Sequence, residues 1–353
     1  MVIAGCRAKE SVMRAVGLLS GGLDSTLAVR LISELGIEVI AIKFTSPFCQ
    51  CDSGGCCHAA EVARQMGMEL KTVSKGDDYL DVVRYPKHGY GVGMNPCIDC
   101  RIFMFKKAKE YMEEIGAAFL FTGEVLGQRP MSQHRRAIEI IEEESGLAGK
   151  IVRPLSAQHM EPTEAEQSGW IDREKLLGFH GRSRKPQLAL AAAYGIEGFG
   201  CPAGGCLLTD KNFSAKLRDL FAHSGKVTMR DIGLLKIGRH FRCGSCKIVC
   251  ARDEAESGAL RRRGGEGVLL FEATSYMGPV VLLEGESEAE EIRQAAELAA
   301  AYSDGDAPVI TVSCWSSQSE QAIRVTRHAR AAFDAYRIQP QTAPAKGAGV
   351  EPL

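Results

Sequence analysis

The sequence has no long apolar run, no strong net charge and no internal repeat. Charged residues, the last of them Arg14, interrupt its first segment, so we expect neither a membrane span nor a secretory signal, and we expect a cytoplasmic location. A formal net charge of −1 gives no whole-chain indication of a nucleic-acid or membrane partner. A chain of 353 residues is long enough for two domains, each with its own core.

Cysteine, by contrast, is abundant. The chain has 13 cysteines, an odd number, and without a signal peptide an extracellular disulfide framework is not expected. Eleven of them fall into groups: Cys49, Cys51, Cys56 and Cys57; Cys97 and Cys100; Cys201 and Cys206; Cys243, Cys246 and Cys250. Such grouping in a reducing compartment indicates metal or thiolate chemistry.

The most informative motif is Ser-Gly-Gly-Leu-Asp-Ser at residues 20–25. It follows an apolar run at 15–19 and precedes a helical apolar pattern at 26–32, which predicts a strand, a glycine-rich turn and a helix start. Glycine lets the backbone approach an anion, and the helix N-terminus binds it. The Gly-Lys-Ser/Thr ending of a Walker loop is absent.

This motif resembles the SGGxDS signature of PP-loop ATP pyrophosphatases, which hold the pyrophosphate of ATP and transfer AMP to a substrate oxygen. The resemblance implies that the loop binds ATP through Ser20, Gly21, Gly22, Asp24 and Ser25. It also implies Mg²⁺, which would neutralise the phosphates. Asp24 is predicted to help bind the ion and to be catalytic, although a structural role at the turn stays open.

A second motif, Asn-Pro-Cys-x-x-Cys, ends at Cys100 and precedes a predicted helix at 102–115. A helix N-terminus favours thiolate, so we expect lowered pKa values for Cys97 and Cys100. Alone, the pair is compatible with zinc, a redox disulfide or an iron–sulfur cluster. The run resembles the active-site segment of tRNA 2-thiouridylases, which are PP-loop enzymes.

A third motif, Thr-Gly-Glu-Val-Leu-Gly-Gln at 122–128, resembles the TGExxGQ segment of 4-thiouridine synthetases. The resemblance covers residues 14–222 and implies that Gly123, Glu124 and Gln128 contact ATP or its magnesium, or support the nucleotide site. Cys97, Cys100 and a third cysteine would hold a 4Fe–4S cluster, since thiolates are the usual cluster ligands. Cys206 is the preferred third ligand and Cys201 its alternative. A persulfide and disulfide relay remains open.

The other cysteine groups give weaker predictions. Cys49, Cys51, Cys56 and Cys57, followed by His58, could bind zinc or could be surface or substrate-facing thiols. In the C-terminal group, strand alternation predicts Cys246 and Cys250 on one face and Cys243 on the other, which argues against one shared site.

Alternating strand and helix patterns over the N-terminal half predict an α/β fold. We expect a Rossmann-like parallel sheet of the adenine nucleotide alpha hydrolase type, with ligands at the carboxyl ends of its strands. A second, smaller α/β domain is predicted at 223–338, with its last helix at 320–336. Residues 339–353, rich in Pro, Ala and Gly, are predicted to be disordered.

Residues 226–263 are basic, and within them residues 234–242 and 247–249 resemble the RNA-binding module of NFACT proteins. We predict contacts to RNA phosphates, with a merely solvated basic face as the alternative, for Lys236, Arg239, His240, Arg242, Lys247, Arg252, Arg261, Arg262 and Arg263. The predicted function is ATP-dependent thiolation of tRNA uridine, with tRNA, a sulfur donor and optionally a second copy as partners. Alternatives are thiolation or amidation of a small molecule, and an RNA-binding accessory protein with a degenerate nucleotide site.

Overall fold

The computed structural model describes residues 13–49, 58–197, 199, 205–265 and 267–340. The chain divides between Thr209 and Asp210 into two compact units. Three predicted features lie wholly or mostly outside the described residues: the thiols of Cys51, Cys56 and Cys57, the alternative ligand Cys201, and the tail from residue 341 onward. The functional boundary after residue 222 stays a prediction.

The first unit is built on a five-stranded sheet in which every pair of neighbouring strands is parallel. Its strand order is β3-β2-β1-β4-β5. The strands are β1 Arg14–Leu18, β2 Glu38–Thr45, β3 Glu69–Ser74, β4 Phe119–Thr122 and β5 Ile151–Val152. The central strands are buried apolar runs, as expected for a parallel sheet covered on both faces. The predicted Rossmann-like sheet is confirmed.

Helices cover both faces of this sheet. Leu27 belongs to the core on one face, and Phe105 and Ile141 belong to the core on the other. The α-helices of the first unit are α1 Leu23–Glu34, α2 His58–Gln65, α3 Asp78–Arg84, α4 Cys97–Glu114, α5 Arg135–Ser145, α6 Glu164–Gln167 and α7 Lys185–Ala193. Helix α4 begins at Cys97, directly after Pro96, so both cysteines of the second motif lie in its first turn.

The second unit contains a six-stranded antiparallel sheet in the order β11-β10-β8-β9-β7-β6. Its strands are β6 Arg239–Cys243, β7 Cys246–Cys250, β8 Val268–Ala273, β9 Val281–Glu284, β10 Val309–Trp315 and β11 Glu320–Thr326. Its helices are α8 Lys211–His223, α9 Met229–Leu234, α10 Glu254–Arg261 and α11 Ala289–Tyr302. One core contains residues of α11, and a second core contains Leu234 of α9 and Leu260 of α10.

The predicted last helix at 320–336 is wrong. Residues 320–326 form β11, which pairs antiparallel with β10, and a 3₁₀ helix follows at Arg330–Tyr336. β-Branched Ile323, Val325 and Thr326 favour a strand, and Val325 alone is fully buried in the pattern of this edge strand. Pairing with β10, which local sequence does not reveal, decides the outcome.

The prediction that Cys243 lies on the opposite face of the sheet from Cys246 and Cys250 is also wrong. The hairpin between β6 and β7 puts Cys243 directly opposite Cys246, and residues that pair directly share a face of the sheet. The two-residue turn, with Gly244 at φ 54°, interrupts simple alternation along the chain. Cys243, Cys246 and Cys250 all lie in the apolar core under α11. Within the described residues, no helix is long and apolar enough to cross a membrane.

Candidate active site

Polar groups collect at the carboxyl ends of all five parallel strands of the first unit. Ser20 follows β1, Cys49 follows β2, Lys75 follows β3, Glu124 follows β4 and Arg153 follows β5. Carboxyl ends of parallel strands meet at one edge of the sheet. The strand order reverses between β1 and β4, so the crevice that this fold offers to ligands lies between the loops after these two strands.

The loop after β1 leaves the N-terminus of α1 available to an anion. No described side chain caps this terminus; the hydroxyls of Ser25 and Thr26 donate to the carbonyl of Gly22 over 2.9 and 3.0 Å. Gly21 has φ 78°, and a Cβ there would lie 2.5 Å from the backbone nitrogen of Ala59. The first-turn N–H groups of a helix have no intrahelical partner, so this loop has the geometry of a phosphate cradle.

Gly123 brings the loop after β4 against this cradle. A Cβ at Gly123 would lie 2.6 Å from the backbone nitrogen of Ser25, so the two loops touch through their backbones. The Gln128 amide donates to Oδ2 of Asp24 over 2.7 Å, and the buried Gln187 donates to Oε1 of Gln128 over 3.0 Å. Asp24 is thereby fixed in position, while its buried Oδ1 has no hydrogen-bond partner among the described residues. This oxygen is available to a magnesium ion or another ligand.

Glu124 is a buried member of an ion-pair network. Its carboxylate lies 3.1 Å from Nε of Arg153 and 3.3 Å from Nε of Arg101, and Arg153 also pairs with Glu142. Burial disfavours the charged carboxylate, but Arg101 and Arg153 outweigh burial, and the pKa of Glu124 is lowered. Glu124 therefore braces the loop after β4 as an anion; contact of Glu124 or Gln128 with ATP or magnesium stays a prediction.

The two cysteines of α4 differ in acidity. Lys75 Nζ lies 3.1 Å from Sγ of Cys100 and 4.3 Å from the ring centroid of the buried Tyr79. Burial disfavours the charged thiolate of Cys100. This effect is outweighed by the charge and hydrogen bond of Lys75, a hydrogen bond from Tyr79 and the charge of Arg101, so the pKa of Cys100 is lowered. Burial and the neighbouring Cys100 raise the pKa of Cys97. The expected lowering at both cysteines is thus wrong for Cys97, because burial outweighs the charges of Arg101 and Arg129 and the hydrogen bond with Asn95.

Cys206 and Cys49 lie beside this pair. Both are free thiols, and their backbones form an isolated antiparallel bridge. Burial raises the pKa of Cys206 to about 12, with Cys100 and Cys49 as contributing neighbours. Across the described ranges, no three His, Cys, Asp or Glu side chains converge closely enough to hold a metal ion. Cys100 thus has Cys97 and Cys206 as neighbours, but the three described thiols do not form a preassembled metal site.

Three features of this site were not predicted from the sequence. Lys75 and the pairing of Cys49 with Cys206 depend on chain segments that are far apart in sequence. A third is a group of exposed apolar side chains that we call the ledge: Tyr85, Tyr90 and Val92 in the segment before α4, and Met131 in the loop after β4, of which Tyr85 is 70% and Val92 63% exposed. Met131 lies against this segment, since a Cβ at Gly91 would be 3.1 Å from Cε of Met131.

The segment that carries Tyr85 and Tyr90 is held in place by hydrogen bonds to α4 and within the segment itself. The buried Asp99 of α4 accepts hydrogen bonds from the N–H groups of Lys87 and His88, each over 3.1 Å. The hydroxyl of Tyr90 donates to the carbonyl of Val83 over 2.7 Å. Alternating Tyr, Gly and Val residues before Asn95 were the available clue.

The basic residues of the second unit divide into buried and exposed groups. His240 and Lys247 are buried, which contradicts their predicted contact with phosphate, because both lie on the sheet face beneath helices. Burial lowers the pKa of Lys247 to about 8. Arg242 pairs with Asp219 of α8, and Arg261 with Glu254 and Glu272. Exposed candidates are Lys236, Arg252, Arg261 and Arg262, with Arg252 paired to Glu256.

Two family models match the chain. Residues 11–163 match the model of the thiamine biosynthesis protein (ThiI), and residues 238–337 match that of the NFACT protein RNA binding domain. A region that matches ThiI thus precedes a region that matches the NFACT RNA-binding domain. The first match covers the phosphate cradle, both α4 cysteines and Glu124, and the second covers nearly all of the antiparallel sheet.

Part of the chain is also similar to part of several curated proteins. A tRNA-specific 2-thiouridylase MnmA from Xanthobacter autotrophicus is 28% identical over 145 residues, which is 37% of this chain and 37% of the relative. A tRNA-specific 2-thiouridylase MnmA from Listeria monocytogenes is 34% identical over 125 residues, 32% of this chain and 33% of the relative. The chain thus spans about a third of the length of the curated relatives it matches.

Solved structures give weaker likenesses. One is a 4-thiouridine synthetase–RNA complex with bound ATP, which is 21% identical in sequence with a TM-score of 0.36. The match covers 64% of this chain and 52% of the synthetase chain. The U34-tRNA thiolase NcsA from Methanococcus maripaludis, described with its 4Fe–4S cluster, is 19% identical, covers 65% and 74%, and has a TM-score of 0.34.

The contact between Lys75 and Cys100 in the first unit predicts that the Cys100 thiol reacts more slowly when Lys75 is replaced. Lys75→Met removes the charge that stabilises the thiolate, so the pKa of Cys100 rises and less thiolate is present at pH 7.5. Loss of one charged hydrogen bond corresponds to about 1.4 kcal/mol, or roughly tenfold slower alkylation. The measurement is the rate of iodoacetamide alkylation at Cys100, followed by mass spectrometry on metal-free protein between pH 6 and 10.

Lys71→Met is the matched control, because Lys71 lies over the ring of Tyr111 and not beside Cys100. We expect it to leave the alkylation profile of Cys100 unchanged. Equal profiles for Lys75→Met and the unaltered protein would contradict the assigned role of Lys75.

Proposed function

We propose that this protein is an ATP-dependent tRNA uridine sulfurtransferase. One observation carries the proposal: two features lie at the same edge of the parallel sheet. They are an uncapped helix N-terminus suited to phosphate and the thiol of Cys100, whose pKa Lys75 helps to lower. Such a site can activate an oxygen and present a sulfur nucleophile. The match to the ThiI model supports it. The proposal includes a cytoplasmic location and the domain bounds 14–222 and 223–338.

In the first half-reaction, the uracil carbonyl oxygen attacks the α-phosphorus of ATP, and pyrophosphate leaves. Residues 20–25 would bind the phosphates through backbone N–H groups and the helix dipole. Asp24, held by Gln128 and carrying a free Oδ1, is the residue we assign to the magnesium ion that accompanies ATP. Glu124, between two arginines, would keep the loop after β4 rigid and take no direct part.

In the second half-reaction, sulfur displaces AMP from the activated carbon and leaves a thiocarbonyl. In a persulfide route, a donor such as a persulfide-carrying protein places sulfane sulfur on Cys100. The terminal sulfur attacks the carbon, and Cys97 or Cys206 then breaks the sulfur–sulfur bond, which leaves a protein disulfide for a thiol reductant. In a cluster route, Cys97, Cys100 and Cys206 would hold a 4Fe–4S cluster, which supplies an iron site able to carry sulfide.

The cluster route is our preferred version because of the donor set. In the described part of the chain the free thiol of Cys100 has both Cys97 and Cys206 as neighbours, and thiolates are the usual ligands of such clusters. Positive charges from Lys75 and Arg101 beside Cys100 offset the negative charge of thiolate ligands. Assembly would require the thiols to draw closer together than they are in this structure.

RNA is the proposed acceptor for two reasons. The second unit matches an RNA-binding domain and exposes basic side chains, among them Lys236 and Arg262. In the first unit, the exposed Tyr85 stands on the ledge beside α4, with Arg84 over its ring at 5.4 Å. Unpaired bases of RNA stack on aromatic side chains, so the ledge suits nucleotides next to the reacting uridine. A homodimer stays a prediction.

The central test compares tRNA nucleosides of a deletion strain with those of complemented strains by mass spectrometry. We expect one thiolated uridine to disappear on deletion and to return with the unaltered gene. Asp24→Asn should reduce it at least tenfold, because the neutral amide holds magnesium poorly. Asp172→Asn is the control, since Asn caps a helix as well as Asp does. If every thiolated uridine persists in the deletion strain, the acceptor is not tRNA and the proposal fails.

Iron and sulfide analysis of protein purified without oxygen tests the cluster. We expect about four irons and a brown colour in the unaltered protein. Cys206→Ser should lose most of the iron, whereas Cys314→Ala, a buried cysteine of the second unit, should retain it. Colourless, iron-free protein that still thiolates tRNA would contradict the cluster and establish the persulfide route.

Titration of fluorescent tRNA at several salt concentrations tests the RNA surface. Arg262→Ala removes one exposed charge, so we expect weaker binding and a salt slope reduced by about one. Arg293→Ala removes an exposed charge from α11, where Arg293 pairs with Glu290 and Glu297, and should have little effect. Equal affinities for both variants and the unaltered protein would place the RNA surface elsewhere.

A further inference from the structure

Cys49 and Cys206 occupy directly opposed positions on two short extended segments. They form an isolated antiparallel bridge, and the N–H of Leu207 donates to the carbonyl of Phe48 over 2.9 Å. This bond joins the residues on either side of the bridge, so Cys49 and Cys206 are a non-hydrogen-bonded pair. In such a pair the Cα atoms lie about 4.5 Å apart and the side chains leave the same face.

This spacing suits a disulfide. Disulfide-linked cysteines have Cα atoms about 4.4–6.8 Å apart and Cβ atoms about 3.5–4.5 Å apart, so closure needs only a small side-chain adjustment. Both thiols are free and half-buried. Cys206 is assigned above to the thiolation chemistry of Cys97 and Cys100, whereas Cys49 has no role in that chemistry.

Both segments are anchored, which keeps the pair in register. Phe48 is buried and packs edge-on against Tyr79 with ring centroids 6.1 Å apart. The N–H of Cys49 donates to the carbonyl of Ser46 over 3.0 Å, and the hydroxyl of Thr209 donates to the carbonyl of Cys206 over 2.7 Å. The two thiols are therefore held together by the fold and do not depend on a chance encounter of loops.

We propose that Cys49 and Cys206 form a redox pair that closes a reversible disulfide. A small-molecule disulfide is the oxidant. One cysteine, as thiolate, attacks it to give a mixed disulfide and a released thiol; the other cysteine then attacks the mixed disulfide and releases the second thiol. Two cysteine thiols are oxidised, one small disulfide is reduced, and both protons leave on the released thiols. This pairing does not rest on the proposed function.

The pair has a consequence for the site. A Cys206 held in a disulfide can neither ligate a metal nor attack sulfur, whereas Cys97 and Cys100 keep their thiols. Cys49 thus acts as a fourth thiol that determines when Cys206 is available. Oxidation would switch the site off without changing the phosphate cradle.

The test uses the full chain, metal-free and without ATP or tRNA, so its outcome is independent of thiolation activity. Protein is equilibrated with oxidised and reduced glutathione, free thiols are blocked with N-ethylmaleimide, and peptides are mapped without reduction. We expect the Cys49–Cys206 cross-link to exceed every other linkage of Cys206 at least tenfold and to vanish with dithiothreitol. In Cys49→Ser, Cys206 should carry glutathione instead, with an unchanged circular dichroism spectrum.

Cys314→Ala, far from both residues in sequence and located in the second unit, is the control and should retain the cross-link. Linkage of Cys206 to Cys97, Cys100 or any other cysteine as its main product would overturn the proposal. Separate glutathione adducts on Cys49 and Cys206 in the unaltered protein would overturn it as well.

Discussion

The candidate site depends on one backbone contact between Gly123 and the first turn of α1. Any side chain at this position would collide with the backbone of Ser25, so the loop after β4 can lie against the phosphate cradle only with glycine there. The contact brings Gln128 to Asp24 and Glu124 to the arginines that brace it. The two loops at the point of strand reversal therefore act as one rigid element, on which the placement of ligands at this edge relies.

The thiols beside this element have unequal chemistry although they share one neighbourhood. Cys100 is biased towards thiolate by Lys75, whereas burial keeps Cys97 and especially Cys206 protonated. A thiolate is a far better nucleophile and metal ligand than a thiol. The fold therefore makes one thiol more acidic than its two neighbours, partly through the position of one lysine, which follows β3.

The parts that could be predicted from sequence are those governed by local pattern. Apolar runs and helical spacing predict the parallel sheet, and the glycine-rich turn predicts the cradle, because each is contained in about ten consecutive residues. The role of Lys75, the pairing of Cys49 with Cys206, and β11 escaped prediction for the opposite reason: each depends on another segment of the chain. The same limit explains the wrong prediction for Lys247. Its charge suggested an exposed side chain, but the side chain is buried in the sheet of the second unit.

Strand β11 ends the second sheet, and its composition bears on how copies of the protein meet. Its outer edge exposes unpaired backbone groups, which on a flat apolar strand would invite another chain to add. Glu320 and Arg324 are charged, and most of the strand's side chains are exposed. Charged side chains on an edge strand oppose such addition. The second unit thus carries its own protection against edge-to-edge aggregation, at the strand whose sequence pattern resembled a helix.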